Sequence, residues 1–236
     1  MKKLFMIAAV ALLTFGMASC NKDDDNTNTN TPTNPTNPTT GEWVDLGLPS
    51  GLLWAKCNLG ATTPEGYGNY YAWGETSTKE TYNWSTYRYA TVDAEGNLQT
   101  LTKYNTSETY GTIDNKTTLE ASDDAATAVL GSGARIPTYD DWVELINNTT
   151  GEWTTQNGVN GWKFTAANGS SLFLPAAGFR DGSELTGAGS GSLYWSSSLC
   201  TDYPGLARIF YFYSDGSDMG NDYRRYGCSV RAVRQN

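Results

Sequence analysis

Apolar positions in residues 41–236 recur in short runs broken by Gly, Asn, Asp and Ser, and only two stretches repeat with helical spacing. Residues 42–46 and 52–57 read as strands around the turn Leu48-Pro49-Ser50-Gly51, with Leu52 and Trp54 sharing one buried face. Residues 67–73 read as a strand or an aromatic loop. Ser122 can cap a helix over 123–130, with Gly131 as its stop. Thr138 can cap a second over 139–146, where Trp142, Leu145 and Ile146 fall on one side and Asn147-Asn148 ends it. Further strands are expected at 161–166, 171–174, 193–197, 206–213 and 229–233. Two helices among many short strands and glycine-rich connections predict an α+β fold with much irregular structure.

The first forty residues stand apart from that pattern. Lys2 and Lys3 precede an apolar run, residues 4–17, too short to span a bilayer as a mature helix, and Met17-Ala18-Ser19-Cys20 ends it. This resembles a bacterial lipoprotein signal, although Met17 stands where such signals usually carry Leu. The resemblance implies that residues 1–19 are removed and that Cys20 is the site of lipid attachment, palmitate included, giving an anchor in the outer membrane rather than a span. Asn21-Lys22-Asp23-Asp24-Asp25 resembles the acidic export signal of Bacteroidetes-type lipoproteins, which implies display at the cell surface. Asn21 to Thr40 holds six Asn, seven Thr, three Asp, three Pro and one Lys, so residues 20–40 read as a lipidated tether with too little apolar surface to fold. Residues 41–236 are long enough for one domain with its own core.

Composition removes several function classes. The chain carries 16 basic and 25 acidic side chains, a formal charge of −9, so no basic face is large enough for nucleic acid. It has no histidine, hence no Ser/His or Cys/His pair and no usual general base. With Cys20 acylated, Cys57, Cys200 and Cys228 allow at most one internal disulfide. No catalytic residue, cofactor or metal is nominated.

Seven blocks then carry a resemblance. Val44-Asp45-Leu46-Gly47-Leu48-Pro49-Ser50-Gly51-Leu52-Leu53-Trp54-Ala55, Tyr71-Ala72-Trp73-Gly74-Glu75-Thr76, Lys103-Tyr104-Asn105, Asp123-Asp124-Ala125-Ala126, Arg135-Ile136-Pro137-Thr138, Phe173-Leu174-Pro175-Ala176-Ala177-Gly178 and Tyr194-Trp195-Ser196-Ser197-Ser198 occur in the order seen in the Fibrobacter succinogenes major paralogous domain family. That family is similar to the formylglycine-generating-enzyme branch of the C-type-lectin-like fold. The resemblance implies that the first and last strands pair, that two helices lie on one side, and that a long irregular region presents a binding face. On the residues themselves, Arg135 is expected to clamp a buried carboxylate such as Asp123 or Asp124, Trp195 to be a core anchor whose indole needs a buried acceptor, and Arg231 and Arg234 to join the closing strand with carboxylate partners.

The most informative stretch runs from Leu199 to Cys228. Along residues 207–213, period two sends Phe210 and Phe212 to one side and Ile209, Tyr211 and Tyr213 to the other, so buried phenylalanines imply presented tyrosines. The following residues 214–226 are dense in Tyr, Asp, Asn, Ser and Gly, the composition of antibody-like paratopes. A polar surface loop with half-buried tyrosines is the alternative. The block from Tyr194 onward also resembles the variable region of ligand-binding proteins diversified by bacterial retroelements. That resemblance implies a displayed, ligand-binding set of Leu199, Asp202, Tyr203, Arg208, Ile209, Tyr211, Tyr213, Asp218, Asn221, Tyr223 and Tyr226, taking an unidentified glycan or protein. Cys200 and Cys228 could pair and brace the loop or be chance occupants.

Three other readings were open. A structural or adhesin subunit would need no discrete ligand. A formylglycine-generating-type oxidase needs two closely spaced copper-binding cysteines, whereas Cys200 and Cys228 lie 28 positions apart. Asp215, Asp218 and Asp222 miss the spacing of known calcium loops and read as a solvated turn.

Overall fold

A computed structural model describes residues 43–236. The signal and tether, Cys20 included, lie outside the described residues. The chain opens with β1 (Trp43–Asp45), β2 (Leu53–Ala55) and β3 (Tyr70–Tyr71), then β4 (Ala90–Val92) and β5 (Leu98–Leu101). Next come α1 (Ala125–Leu130), β6 (Ala134–Arg135), α2 (Tyr139–Asn148), β7 (Thr149–Gln156), β8 (Val159–Ala166) and β9 (Ser171–Pro175). The remainder is sheet: β10 (Phe179–Asp181), β11 (Glu184–Thr186), β12 (Gly191–Leu199), β13 (Leu206–Tyr213), β14 (Gly216–Tyr223), β15 (Cys228–Ser229) and β16 (Val233–Arg234). Two α-helices among small, mostly antiparallel sheets make the described residues α+β.

At the centre is a five-stranded sheet in the order β14-β13-β12-β15-β3. Its two faces each bury a core. One holds Phe210, Phe212 and Tyr194 with Trp142 and Leu145 of α2 and the aromatic residues of β8; Trp142 stacks on Phe210 with ring centroids 4.8 Å apart. The other holds Leu193, Trp195, Ala207, Ile209 and Cys228 beneath Trp73, Tyr82, Tyr87, Tyr89 and Tyr104 from the irregular first half of the chain. The Trp195 indole donates to the Tyr71 carbonyl at 2.7 Å, the buried acceptor that its enclosure requires.

A second sheet, β1-β2-β16-β6, closes the chain on itself. The last strand pairs with β2 (Val233 opposite Trp54) and with β6, so the second strand, not the first, takes the carboxy-terminal one. The turn before β2 forms as the sequence indicates: Gly51 has a φ of 72° and its N–H reaches the Leu48 carbonyl at 2.9 Å.

Helix caps show where local signals compete. Thr138 and Asp141 form a reciprocal capping box on α2. α1 starts later than expected, and Asp124, not Ser122, caps it, accepting from the Thr127 N–H at 3.0 Å while its second oxygen accepts from Ile136 N at 2.8 Å. Asp123 is occupied elsewhere, bonded by Lys103 and by the Tyr104 hydroxyl at 2.6 Å. Both aspartates are thus spoken for, and Arg135 pairs with Asp141 at 2.5 Å.

Seven strands, β4, β5, β6, β7, β10, β11 and β14, lie where loops or no element were expected, and two of them make long hairpins with expected strands. β7 pairs with β8 across Asn157-Gly158, both with positive φ, the dipeptide of a tight hairpin. β14 pairs with β13 across Ser214-Asp215. The closing arginines also differ from expectation. Arg231 is buried and bonds the Asn58 side chain and the carbonyls of Ala55, Lys56 and Phe173, while Arg234 lies over the Trp43 ring at 4.6 Å. Amide oxygens serve Arg231 because a guanidinium has five donors to satisfy and three carbonyls converge there.

Candidate ligand-recognition face

The hairpin β13–β14 carries the site, and its register decides what each side chain can reach. Directly opposed residues of an antiparallel pair share a face. Tyr211 lies opposite Asp218, Tyr213 opposite Gly216 and Ile209 opposite Gly220, on one side; Phe210 and Phe212 lie opposite Met219 and Ser217 on the other. Phe210 and Phe212 are fully enclosed, whereas Tyr213 is 43% exposed and Tyr211 half-buried at the rim of the core. Phenyl rings therefore point inward and phenol rings outward at this end of the strand.

Glycines make room for those rings. A Cβ on Gly191, opposite Tyr213 on β12, would sit 2.4 Å from the Tyr213 ring, and one on Gly220 would sit 3.0 Å from the Tyr211 ring. The tyrosines lie across neighbouring strands with their centroids 6.2 Å apart. Such cross-strand aromatic cover stiffens a glycine-bearing sheet.

A second aromatic group forms at the far end of β14. Tyr223, 46% exposed, meets Trp84 edge-on at 6.1 Å and Tyr226 at 5.7 Å, and Tyr226 meets Phe179 at 5.3 Å. Arg225 lies 4.4 Å over Tyr226 and 5.4 Å over Tyr223, and pairs with Asp181 of β10. Between them, Arg224 plugs into the core. It is fully buried, lies 4.8 Å over Trp73, and donates to the Tyr87 hydroxyl and to the carbonyls of Tyr104, Pro204 and Lys103. Arg224 thus turns inward where Tyr223, the residue before it, stays exposed and Tyr226 stays partly buried.

The displayed set therefore divides. Tyr211, Tyr213 and Asp218 share one face; Tyr223 and Tyr226 belong to the corner with Trp84. Asp202 and Tyr203, the latter 66% exposed, sit on the turn that leads to Gly205, beside Trp84 and Leu98. Arg208 and Asn221 oppose one another on the phenylalanine side, with Arg208 over the Tyr139 ring at 5.4 Å. Leu199 and Ile209 leave the set: they are 4% and 3% exposed and belong to the core beneath the irregular region. Ile209 has the parity of the tyrosines, but at its level the sheet is still covered.

Four contributors lie outside the displayed set expected from sequence. Trp84, Phe179 and Arg225 are brought in by packing. Asp222 shares the face of Asp218 by period two and could have been found that way. Burial raises the carboxyl of Asp222 above its ordinary range against the pull of the Tyr223 N–H and Arg225. Cys200 and Cys228 are separate, buried thiols, so no disulfide braces the segment; burial pushes the Cys228 thiol well above its usual range. No group of three metal-ligating His, Cys, Asp or Glu side chains occurs among the described residues, and none of their helices is long and apolar enough to cross a membrane.

Comparison with models of protein families, with curated proteins and with solved structures returns no match to this chain.

Proposed function

We propose that this chain is a lipid-anchored protein of the outer membrane, displayed at the cell surface, whose C-type-lectin-like domain recognises a glycan or protein through the tyrosine-bearing end of β13 and β14. The observation that carries the reading is the partition on β13: Phe210 and Phe212 enclosed, Tyr213 open to solvent on a strand held from both faces. Exposed phenols on a rigid sheet give contact area with few rotatable bonds to immobilise on binding. Of the features that the lectin-like reading asks for, the long irregular region over one face supports it, while the carboxy-terminal strand closes on β2 rather than on the first strand and the two helices belong to different cores, α1 to one and α2 to the other. The signal and Cys20 supply the anchor in this reading.

The test is retention of the purified full chain on glycan and protein arrays, repeated with Tyr213→Ala plus Tyr223→Ala. Specific retention lost in the variant, with an unchanged melting curve, supports a recognition face. Retention of nothing by the wild-type chain, or retention unaltered in the variant, overturns it.

A further inference from the structure

β14 ends the central sheet, and among the described residues nothing pairs with its outer side. Its backbone orientation follows from one hydrogen bond: Arg224 N–H donates inward to the Gly205 carbonyl at 3.1 Å. By alternation the N–H and C=O groups of Ser217, Met219, Asn221 and Tyr223 point outward. Two of these donors are already met. Asp218 Oδ1 accepts from Met219 N–H at 2.7 Å and Asp222 Oδ1 accepts from Tyr223 N–H at 2.8 Å, each carboxylate folding over the strand edge to do so. The Tyr223 carbonyl accepts from Tyr226 N–H at 2.9 Å. What remains open are the N–H and C=O groups of Ser217 and Asn221 and the Met219 carbonyl, with Gly216 and Gly220 adding no side chain to shield them.

The charge of this edge is one-sided. From Ser214 to Tyr223 the chain carries Asp215, Asp218 and Asp222 and no cation, while nearby Arg225 is paired with Asp181. A second copy of β14 would bring aspartates against aspartates on a chain of formal charge −9, so self-pairing is disfavoured. A neutral strand would displace the carboxylates from the two N–H groups and return nothing to them. A strand bearing ammonium or guanidinium groups gives each displaced carboxylate a partner while its backbone pairs with the edge.

We propose that β14 is a docking edge for an extended, lysine- or arginine-bearing polypeptide segment, gated by Asp218 and Asp222, which cap the edge until a cationic strand draws them off. This names the ligand class for the face described above and rests on that reading's assignment of the β13–β14 hairpin as the recognition element, though not on its tyrosines.

The experiment uses the full chain and a fluorescein-labelled decapeptide of alternating Lys and Thr, read by anisotropy. Two comparison peptides replace Lys by Glu, or methylate every backbone nitrogen with the charge unchanged. The Lys–Thr peptide is expected to bind, the Glu–Thr peptide not to bind, and the methylated peptide to bind at least about tenfold more weakly because its backbone donors are gone. Asp218→Asn with Asp222→Asn, isosteric changes at an exposed and a partly buried position of the edge strand, should weaken the Lys–Thr peptide by roughly tenfold without lowering the melting temperature. Absence of Lys–Thr binding, equal binding of the methylated peptide, or indifference to the double variant overturns the proposal. An array ligand lost on Tyr213→Ala plus Tyr223→Ala, without Lys–Thr binding, overturns this proposal alone. Lys–Thr binding that persists in that tyrosine variant, with nothing retained on the arrays, supports this proposal and overturns the tyrosine reading alone.

Discussion

Phe212 and Tyr213 are neighbours on β13 with opposite surroundings, and truncating each to Ala tests the orientation of the whole hairpin. Phe212 is fully enclosed and packs within 6.2 Å, centroid to centroid, of Phe210, Tyr194, Trp162 and Trp153. Removing such a ring forfeits its burial and leaves a cavity among aromatics that cannot collapse into it, a loss of about 3–5 kcal/mol. For a domain of this size each kcal/mol lowers Tm by about 2–4 °C, so Phe212→Ala should melt roughly 6–20 °C below wild type. Tyr213 gives up far less: nearly half of it already faces water, and its covered part rests on Gly191. Tyr213→Ala should cost about 1 kcal/mol or less and shift Tm by no more than about 4 °C. Tyr211→Ala falls between, since its ring is half-buried over Gly220. Thermal unfolding of the three variants by circular dichroism reads the order directly. A one-residue slip of register exchanges the two faces; Tyr213→Ala as damaging as Phe212→Ala would refute the assignment and the recognition face with it.

Two further variants examine what holds the face in place. Arg224 is a buried cation bonded to a phenol and three carbonyls, so Arg224→Met should cost about 3 kcal/mol or more through the acceptors it strands. Arg224→Lys should recover little of it, because one ammonium cannot reach the same fork, and faster hydrogen exchange at Tyr223 and Tyr226 is the accompanying signature. Burial opposes ionisation of Asp123, but hydrogen bonds from Lys103, Tyr104 and Tyr89 outweigh it and hold its carboxyl at about 2. A depressed folded-state pKa contributes stability above the unfolded value and loses it as pH falls from about 4 to about 2, on the order of 2 kcal/mol. Chemical denaturation at pH 6 and at pH 2.5 should therefore show Asp123→Asn losing less stability on acidification than wild type; an equal loss contradicts the assignment.

How much of the fold was legible depended on whether a local signal had a competitor. α2 had none: Thr138, Asp141 and the buried face of Trp142 and Leu145 agree, and the helix forms with its box. At α1 three consecutive polar residues could each cap, and the choice of Asp124 was made by Lys103 and Tyr104 taking Asp123, partners about twenty positions away. β7 is marked in the sequence only by the hairpin dipeptide Asn157-Gly158, because its own run, with Trp153 as the one apolar residue, shows no alternation. β14 was not readable from periodicity, because Gly, Ser, Asp and Asn leave no alternation of apolar residues; it is a strand because β13 offers it an edge.

The same distinction explains the site. Period two correctly divides β13 into two faces, but it says nothing about where along the strand the cover ends. Both faces are packed as far as Ile209, where Trp195 and Leu193 of β12 lie alongside and Cys228 belongs to the same core. Beyond it the cover thins. Tyr211 is at the rim and Tyr213 past it, while the phenylalanine side stays enclosed to Phe212 by the rings of Trp153 and Trp162. The hairpin thus overhangs one core while remaining anchored in the other. Anchoring from one side leaves the opposite side free to carry rings without loss of rigidity, and the glycines at 191 and 220 leave room to lay those rings flat across the sheet. A side chain larger than hydrogen at either glycine would lift a tyrosine off its support, so the shape of the exposed surface is set as much by the two residues without side chains as by the phenols themselves.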